Sequence, residues 1–212
     1  MTKSTAITVY FDYMCPFAFR GVRLLTEIEQ TRPDISVAWR HFSLEQVNAI
    51  SRGKDPEWKV WEQPLDYKGI YRKSRGRLLR PFLASHAASL QGVEPFARFR
   101  LALFGAFHDD WLDTSDPEVL LDVARQVDLD MDAFQANWQS QEGRDRLRDD
   151  HLSGEEAGVF GVPTLIINNC EATYMRLSEY PPAEEMQTFF DELLHSLCHR
   201  PYLQELKRAG AA

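Results

Sequence analysis

The first 42 residues of the chain carry the pattern that most constrains its fold. Residues 6–11 form a short apolar run rich in β-branched and aromatic side chains, which is typical of a strand buried on both faces. Over residues 16–30 the apolar positions recur every three or four residues, which indicates a helix. Residues 35–42 then alternate as a second strand does. Strand, helix and strand in this order predict a parallel βαβ unit with a right-handed crossover.

Length and composition narrow the class of protein further. A chain of 212 residues with 44% hydrophobic residues suits one domain, or one domain with a sizeable insertion. It has 3 cysteines, Cys15, Cys170 and Cys198. This number is odd, which argues against a disulfide framework, and it is too small for a four-cysteine zinc site. The net charge of −8 argues against a general nucleic-acid binder.

The N-terminal residues indicate where the protein resides. No stretch of about 18 uncharged apolar residues could span a membrane, and the first residues lack the uninterrupted apolar core of a secretory signal. We therefore expect a cytoplasmic protein with reduced thiols and neither a membrane nor a nucleic-acid partner. We expect it to be a monomer or a homodimer.

The rest of the chain divides into a helical middle and a closing strand–helix segment. The middle predicts amphipathic helices over residues 82–90, 96–108, 118–127 and 131–152. The closing segment predicts a hairpin of strands followed by a last helix, at residues 164–167, 172–177 and 182–198.

Cys15 is the most informative single residue. It directly follows the first strand and opens the first helix, so its sulfur should lie beside unpaired backbone amides at the positive end of the helix dipole. Such cysteines have pKa values lowered from ~8.5 to between ~3.5 and ~7.5, which would make Cys15 a nucleophile at neutral pH. The alternative is that Cys15 is a small buried apolar residue.

A second feature favours the nucleophile. Val162 and Pro163 lie at the mouth of a predicted central strand, where a proline forfeits a hydrogen bond of the sheet. A proline is tolerated at such a position when the peptide bond before it is cis.

Taken together, these segments resemble the DsbA-like branch of the thioredoxin superfamily over nearly the whole chain. Residues 11–19, FDYMCPFAF, are similar to that branch's strand–CPxC–helix active site. Residues 39–48, WRHFSLEQVN, resemble its second strand and loop, and residues 158–164, GVFGVPT, resemble its cis-proline strand. Within the branch the chain looks closest to the group of FrnE-type oxidoreductases and 2-hydroxychromene-2-carboxylate isomerases, and kappa-class glutathione transferases share the architecture.

The resemblance implies an α/β, thioredoxin-like fold, with a central mixed sheet flanked by helices. Residues 1–44 and 155–205 would form the discontinuous thioredoxin-like domain. Residues 45–154 would form an all-helical insertion between its βαβ and ββα halves.

The resemblance also implies an active site. Cys15 would be the catalytic residue, in a motif that continues with Pro16, Phe17 and Ala18. Cis-Pro163 would pack beside it, and the backbone around it would bind an extended thiol-bearing substrate as an added strand. The thiol-binding residues would be Val162, Pro163, Thr164 and Arg176.

One departure from the family pattern matters for mechanism. Ala18 occupies the position of the second, resolving cysteine. A low-molecular-weight thiol such as glutathione could resolve the mixed disulfide instead, or Cys170 or Cys198 could do so if its Cα lies within about 7 Å of that of Cys15. The third possibility is that no thiol resolves the mixed disulfide and that turnover has been lost. We expect Cys170 and Cys198 to be structural.

Arg176 bears on the identity of the thiol. In the isomerase and kappa branches an Asp-Arg pair near the last strand helps to hold glutathione, and a serine replaces the residue at position 15. Here Met175-Arg176-Leu177 keeps the arginine without the acid. The bound thiol could therefore be a low-molecular-weight thiol other than glutathione.

The leading hypothesis is a monothiol oxidoreductase with no tightly bound cofactor and no metal. It would act on a small thiol or disulfide, or on a protein disulfide, with an external thiol completing the cycle. The first alternative is a thiol-dependent isomerase or transferase. The second is a non-catalytic module that binds peptides or thiols.

Several charged residues permit two interpretations each. The basic run at residues 68–80 could bind an anion or simply be a solvated face. Asp12 could tune Cys15 or face solvent. His41 and His108 have no partner visible in the sequence, and we assign them no role.

Overall fold

A four-stranded mixed sheet forms the centre of the computed structural model, which describes residues 4–70, 79–168, 170–200 and 202. The strand order is β2-β1-β3-β4, with bounds Thr5–Phe11 for β1, Ile35–His41 for β2, Thr164–Ile167 for β3 and Thr173–Tyr174 for β4. β2 runs parallel to β1, whereas β3 is antiparallel to both β1 and β4. The parallel βαβ opening, the terminal hairpin and the α/β class are confirmed.

Eight α-helices flank the sheet within the described residues. They are α1 (Pro16–Thr31), α2 (Leu44–Val47), α3 (Leu79–Ser89), α4 (Val93–His108), α5 (Pro117–Gln126), α6 (Met131–Asn137), α7 (Gln141–Glu156) and α8 (Met186–His199). Short 3₁₀ turns cover Ile50–Arg52 and Val60–Glu62. Helices α2 to α7 all lie between β2 and β3 in the chain, which is where the sequence predicts a helical insertion. That residues 45–154 form a domain of their own stays a prediction.

The prediction of a single helix over residues 131–152 is wrong. Helix α6 ends at Asn137, and α7 starts after Ser140. The Ser140 hydroxyl accepts a hydrogen bond from the Gly143 amide at 3.2 Å, which satisfies one of the free amides of the new helix. A serine cap within an otherwise helical pattern therefore divides it.

The last strand and the last helix are both shorter than predicted. β4 comprises two residues, because Tyr174 pairs with Thr164 and the next residue faces Pro163. Proline has no amide hydrogen to donate, so the regular ladder stops there. Helix α8 begins at Met186, after a turn in which the Glu185 amide donates to the Pro182 carbonyl.

Two apolar clusters hold the helices on the sheet. In the first, the helices between β2 and β3 pack on the ends of β1 and β2, with Phe11, Phe42, Phe82 and Phe104 fully buried. In the second, α1 and α8 pack around Ile7, Val9, Leu25, Leu165 and Phe190. Complete burial of one such side chain stabilises the fold by roughly 1.5–3 kcal/mol.

A buried arginine links α4 to α1 and β2. The side chain of Arg100 is 1% exposed, and its guanidinium carbon lies 3.6 Å from the ring centroid of Trp39 in β2. Its Nη2 donates a hydrogen bond to the Thr26 hydroxyl of α1 at 3.0 Å. Burial lowers the pKa of Arg100 to about 10, so the residue stays charged at neutral pH. The aromatic face and the hydroxyl replace part of the water that the cation gives up.

The packing of α7 on the sheet leads to a stability prediction. A Cβ added at Gly154 would lie 2.7 Å from Phe42 Cδ2 and 3.0 Å from Tyr10 Cε1. We expect Gly154→Ala to lower the free energy of unfolding by about 1–3 kcal/mol, because both rings must move. The control is Gly105→Ala in α4, where the nearest atom, of Asp109, is 4.0 Å from the added Cβ. It should raise stability by up to about 1 kcal/mol through helix propensity. Urea unfolding measures both, and equal effects would contradict the packing argument.

Candidate active site

Cys15 lies at the point where two distant segments of the chain meet. It is the N-cap of α1, and its amide donates to the Asp12 carbonyl at 3.1 Å. Its Sγ donates a hydrogen bond to the Val162 carbonyl at 3.2 Å. The Val162–Pro163 peptide bond is cis. The structure thus brings together the cysteine and the proline that the sequence singles out.

A glycine allows this close approach. A Cβ added at Gly21 of α1 would lie 2.7 Å from Pro163 Cγ and 3.0 Å from Met175 Cε. Real Cβ atoms do not come this close to a neighbour, so a side chain here would push the proline away from the helix. No motif in the sequence indicates this role for Gly21.

The expectation of a lowered pKa for Cys15 is wrong for the protein in this state. The side chain is only 7% exposed, and burial raises the pKa of the Cys15 thiol to about 11. The amides of Ala18 and Phe17 act in the opposite direction, as does the charge of Arg176. Removing the thiolate from water therefore outweighs the helix N-terminus.

Asp12 braces the loop that carries Cys15. Its carboxylate accepts hydrogen bonds from the amides of Met14, at 2.8 Å, and Leu44, at 2.7 Å. The side chain is 0% exposed, so the alternative that it faces solvent is wrong. Burial raises the pKa of Asp12 to about 7, although the two amides lower it. When ionised, Asp12 also raises the pKa of Cys15.

Both histidines left without a role have partners near the site. His41 Nε2 lies 2.9 Å from the Ser85 hydroxyl, which is 2.6 Å from the Tyr13 hydroxyl. His108 Nε2 lies 2.9 Å from the Tyr13 carbonyl. Burial lowers the pKa of His41 to about 3, so its imidazole is neutral at neutral pH within the hydrogen bonds that join His41, Ser85 and Tyr13. The hydrogen bonds from Ser85 and His108 fix Tyr13, which lies two positions before Cys15.

A cationic and aromatic rim borders Cys15. The guanidinium carbon of Arg176 lies 4.1 Å from the ring centroid of Phe17. Phe160 is 71% exposed, and its ring centroid is 5.4 Å from that of Tyr174. Burial and then the proximity of Cys15 raise the pKa of Tyr174. An anionic group of a small ligand could therefore meet Arg176 while its apolar part contacts the rings.

The other predicted binding residues have structural contacts. The Thr164 hydroxyl donates to the Gly161 carbonyl at 2.7 Å and closes the turn before β3. Val162 is buried, and its carbonyl already accepts the Cys15 thiol. Of the basic run, residues 71–78 lie outside the described residues, whereas Arg80 donates to the Ser115 carbonyl at 2.8 Å. Anion binding by that run stays a prediction.

Cys170 and Cys198 lie at the other end of the sheet from Cys15. The amide of Asn168 donates to the carbonyl of Ala6 near the start of β1, whereas Cys15 follows the end of that strand. At ~3.3 Å per residue, β1 spans roughly 20 Å. Neither cysteine can therefore bring its Cα within the ~7 Å that a disulfide with Cys15 requires. Their sulfur atoms are 3.0 Å apart, a proximity that sequence analysis missed.

The described residues contain neither a cluster of metal ligands nor a membrane-spanning helix. Among them, no group of three or more histidine, cysteine or acidic side chains is arranged to hold a metal ion. No helix in the described ranges is long and apolar enough to cross a membrane.

A thioredoxin-like sheet and a Cys-Pro turn opposed by a cis-proline define the class of protein. The chain belongs to the family of the DSBA-like thioredoxin domain, whose model matches residues 6–193. Members of this family act on thiols or disulfides, and proteins of this fold include oxidoreductases and an isomerase.

Three similar proteins illustrate the relationship. The uncharacterized protein Rv2286c of Mycobacterium tuberculosis is 25% identical over 204 residues, which cover 96% of this chain and 82% of that protein. A structure of 2-hydroxychromene-2-carboxylate isomerase has a TM-score of 0.60 at 17% identity, and covers 95% of this chain and 100% of that one. The cytosolic disulfide reductase DsbM from Pseudomonas aeruginosa, solved with GSH, has a TM-score of 0.61 at 14% identity, with coverage of 90% and 99%. At these identities the two structures establish a shared fold.

The raised pKa of Asp12 leads to a prediction for stability against pH. The carboxyl holds its proton more tightly in the folded protein, with a pKa of about 7, than at the ordinary value of 3.8. The stability that this group contributes is therefore fully present below about pH 4 and is lost as the pH rises through 7. Relative to Asp12→Asn, the wild type should lose up to about 4 kcal/mol between about pH 4 and pH 8.

Urea unfolding at several pH values measures this difference. Loss of an amide acceptor in Asp12→Asn adds a constant offset, so the change with pH is the informative quantity. Asp110→Asn, at an exposed position of the surface, should follow the wild-type pH dependence. A difference between Asp12→Asn and wild type that does not vary with pH would contradict the assignment.

Proposed function

We propose that the protein is a thiol–disulfide oxidoreductase that acts through Cys15 alone, with an external low-molecular-weight thiol completing each cycle. The observation that supports it most strongly is the contact of Cys15 Sγ with the Val162 carbonyl, at 3.2 Å, beside the cis peptide bond. Ala18 stands where a resolving cysteine would be, and the two other cysteines lie at the far end of the sheet. Membership of a family that acts on thiols and disulfides agrees with this chemistry.

The proposed cycle has two exchanges. The Cys15 thiolate attacks a disulfide R–S–S–R′, so that Cys15–S–S–R forms and R′–S⁻ leaves and takes up a proton. A thiolate R″–S⁻ then attacks the sulfur of R in this mixed disulfide, which releases the Cys15 thiolate and forms R–S–S–R″. The substrate disulfide is reduced at R′, and the external thiol supplies the electrons.

The environment of the sulfur favours this direction of electron flow. A thiol of high pKa is not stabilised in its reduced form at neutral pH, so transfer of a disulfide bond from the substrate to Cys15 is favoured over the reverse transfer. Burial raises the pKa of Cys15 to about 11, which suits a reductant better than an oxidant. In the protein with no substrate bound, ionising this thiol at neutral pH costs about 5 kcal/mol.

Binding of the substrate would lower that cost. An extended segment that pairs with the backbone at Val162 would compete with the Sγ–H···O contact and free the sulfur. The amides of Phe17 and Ala18 and the charge of Arg176 already favour the thiolate. A substrate that also opened the sulfur to water would let these groups dominate, because burial is the main cause of the raised pKa.

The rim indicates a small thiol that carries a carboxylate. Arg176 supplies the positive charge, and Phe17, Phe160 and Tyr174 supply apolar contacts. Glutathione has both a thiol and carboxylates, and the similar reductase DsbM was solved with it. Glutathione is therefore the first co-substrate to test, while a cytoplasmic location and a monomeric or dimeric state stay predictions from the sequence.

One alternative has a specific observation in its favour. The Cys15 thiol is buried, protonated and donates a hydrogen bond, as a serine hydroxyl could. This arrangement suits a thiol-dependent isomerase or transferase in which the residue anchors a bound thiol without reacting. Turnover that survives Cys15→Ser would favour this alternative, whereas peptide binding without any turnover would favour a non-catalytic module.

The first prediction for this mechanism concerns the missing resolving cysteine. In a Cys170→Ser/Cys198→Ser background, oxidised glutathione should leave the chain as a stable mixed disulfide on Cys15. Adding Ala18→Cys should convert this product into an internal disulfide with release of glutathione, because the second sulfur lies one helical turn away.

Intact mass spectrometry with peptide mapping distinguishes the two products. Ala18→Ser is the matched control, since it adds a similar volume at the same buried position without a thiol, and it should retain the adduct. Cys15→Ser should acquire no adduct. A chain that takes up no glutathione at Cys15 at any pH up to 10 would contradict the mechanism.

The second prediction concerns the pKa of Cys15. Its rate of alkylation by iodoacetamide should rise steadily from neutral pH towards about 11, because burial keeps the thiol protonated. Arg176→Ala removes a nearby positive charge and should lower the rate at pH 9 by about threefold, or about half a pKa unit. Arg23→Ala is the control and should leave the rate unchanged. Its guanidinium carbon lies 4.6 Å from the ring centroid of Tyr180, and its charge is not among those that shift the pKa of Cys15. A rate that is already maximal at pH 7 would contradict the assignment.

A further inference from the structure

Two cysteines away from the proposed active site lie in contact. Cys170 belongs to the loop between β3 and β4, and Cys198 to the last turn of α8. Their sulfur atoms are 3.0 Å apart, about one ångström longer than a disulfide bond of ~2.05 Å. Both are free thiols and both side chains are half-buried. A small reagent can therefore reach them.

Folded elements hold the two sulfur atoms in this position. The Cys170 amide donates to the Ile167 carbonyl at 2.8 Å, which closes the turn after β3. Cys198 packs at the edge of the apolar cluster that joins α8 to β3, where Leu165 and Phe190 are fully buried. Because the sulfur atoms are already 3.0 Å apart, they need to approach by only about one ångström to form a disulfide bond.

We propose that Cys170 and Cys198 form a second redox site, which takes up a reversible disulfide from low-molecular-weight disulfides independently of Cys15. One thiolate attacks R–S–S–R, forming a mixed disulfide and releasing R–S⁻. The other thiolate attacks the protein sulfur of that mixed disulfide and releases the second R–S⁻. The pair loses two electrons and two protons, and the small disulfide becomes two thiols.

The pair differs from Cys15 in the feature that decides the product. At Cys15 no second thiol is within reach, so reaction with a disulfide ends at a mixed disulfide. At Cys170 and Cys198 the second sulfur is already in contact, so the mixed disulfide should be short-lived. Burial and the hydrogen bond with Cys170 raise the pKa of Cys198 to about 11, so we expect the exchange to be faster at alkaline pH.

The disulfide would join the β3–β4 loop to the end of the last helix. It would link positions 28 residues apart in sequence and restrain the loop that leads into β4. A cross-link over a loop of this length reduces the freedom of the unfolded chain. For a chain of this size we expect the melting temperature to rise by roughly 5–10 °C.

The test uses the full chain with Cys15→Ser, so that only this pair can react. After incubation with oxidised glutathione, the intact mass should fall by two hydrogen atoms, and peptide mapping should find Cys170 joined to Cys198. The melting temperature should rise, and dithiothreitol should reverse both changes. Adding Cys170→Ser or Cys198→Ser should abolish the thermal shift and leave a stable glutathione adduct on the remaining cysteine.

Two results would overturn the proposal. One is stable glutathione on both cysteines without a cross-link, and the other is two unmodified thiols after prolonged treatment. Since Cys15 is absent from the test protein, either result leaves the proposed function of Cys15 untouched. Conversely, the pair can form its disulfide even if Cys15 proves inert.

Discussion

The contact between the Cys15 thiol and the Val162 carbonyl is the constraint on which the site depends. It joins the first turn of α1 to the turn before β3, two segments separated by 147 residues in sequence. Gly21 leaves room for the Pro163 ring against α1, and Asp12 ties the cysteine loop to the loop after β2. Because β1 pairs with both β2 and β3, the cysteine loop after β1, the loop after β2 and the turn before β3 all lie at the same end of the sheet.

The same contact sets the reactivity of the sulfur. A helix N-terminus stabilises a thiolate by the partial charges of its amides, but the effect competes with the cost of removing the charge from water. At Cys15 the second effect is larger, since the sulfur is enclosed by the neighbouring turn and the ionised form of Asp12 adds repulsion. A substrate that separates the two turns would change the balance without altering any residue.

The sequence was sufficient to predict what local patterns encode. The βαβ unit, the hairpin and the helical middle follow from hydrophobic periodicity, and the pairing of Cys15 with Pro163 follows from resemblance to a known motif. The sign of the Cys15 pKa shift did not follow, because it depends on how completely residues far along the chain cover the sulfur. The partners of His41 and Asp12, which are Ser85 and the Leu44 amide, are likewise long-range contacts that no spacing encodes.

The three cysteines show how position gives one residue type different chemistry. Cys15 has a turn, a proline and a cation around it but no second thiol, so in the proposed mechanism an external thiol completes the exchange there. Cys170 and Cys198 have a second thiol in contact but no cis-proline turn beside them, so exchange there can be completed internally and ends in a cross-link. The length of β1 keeps the two sites apart. Within one chain, disulfide exchange at one site therefore cannot pass directly to the other, and under the proposed mechanisms a diffusible thiol or disulfide would connect them.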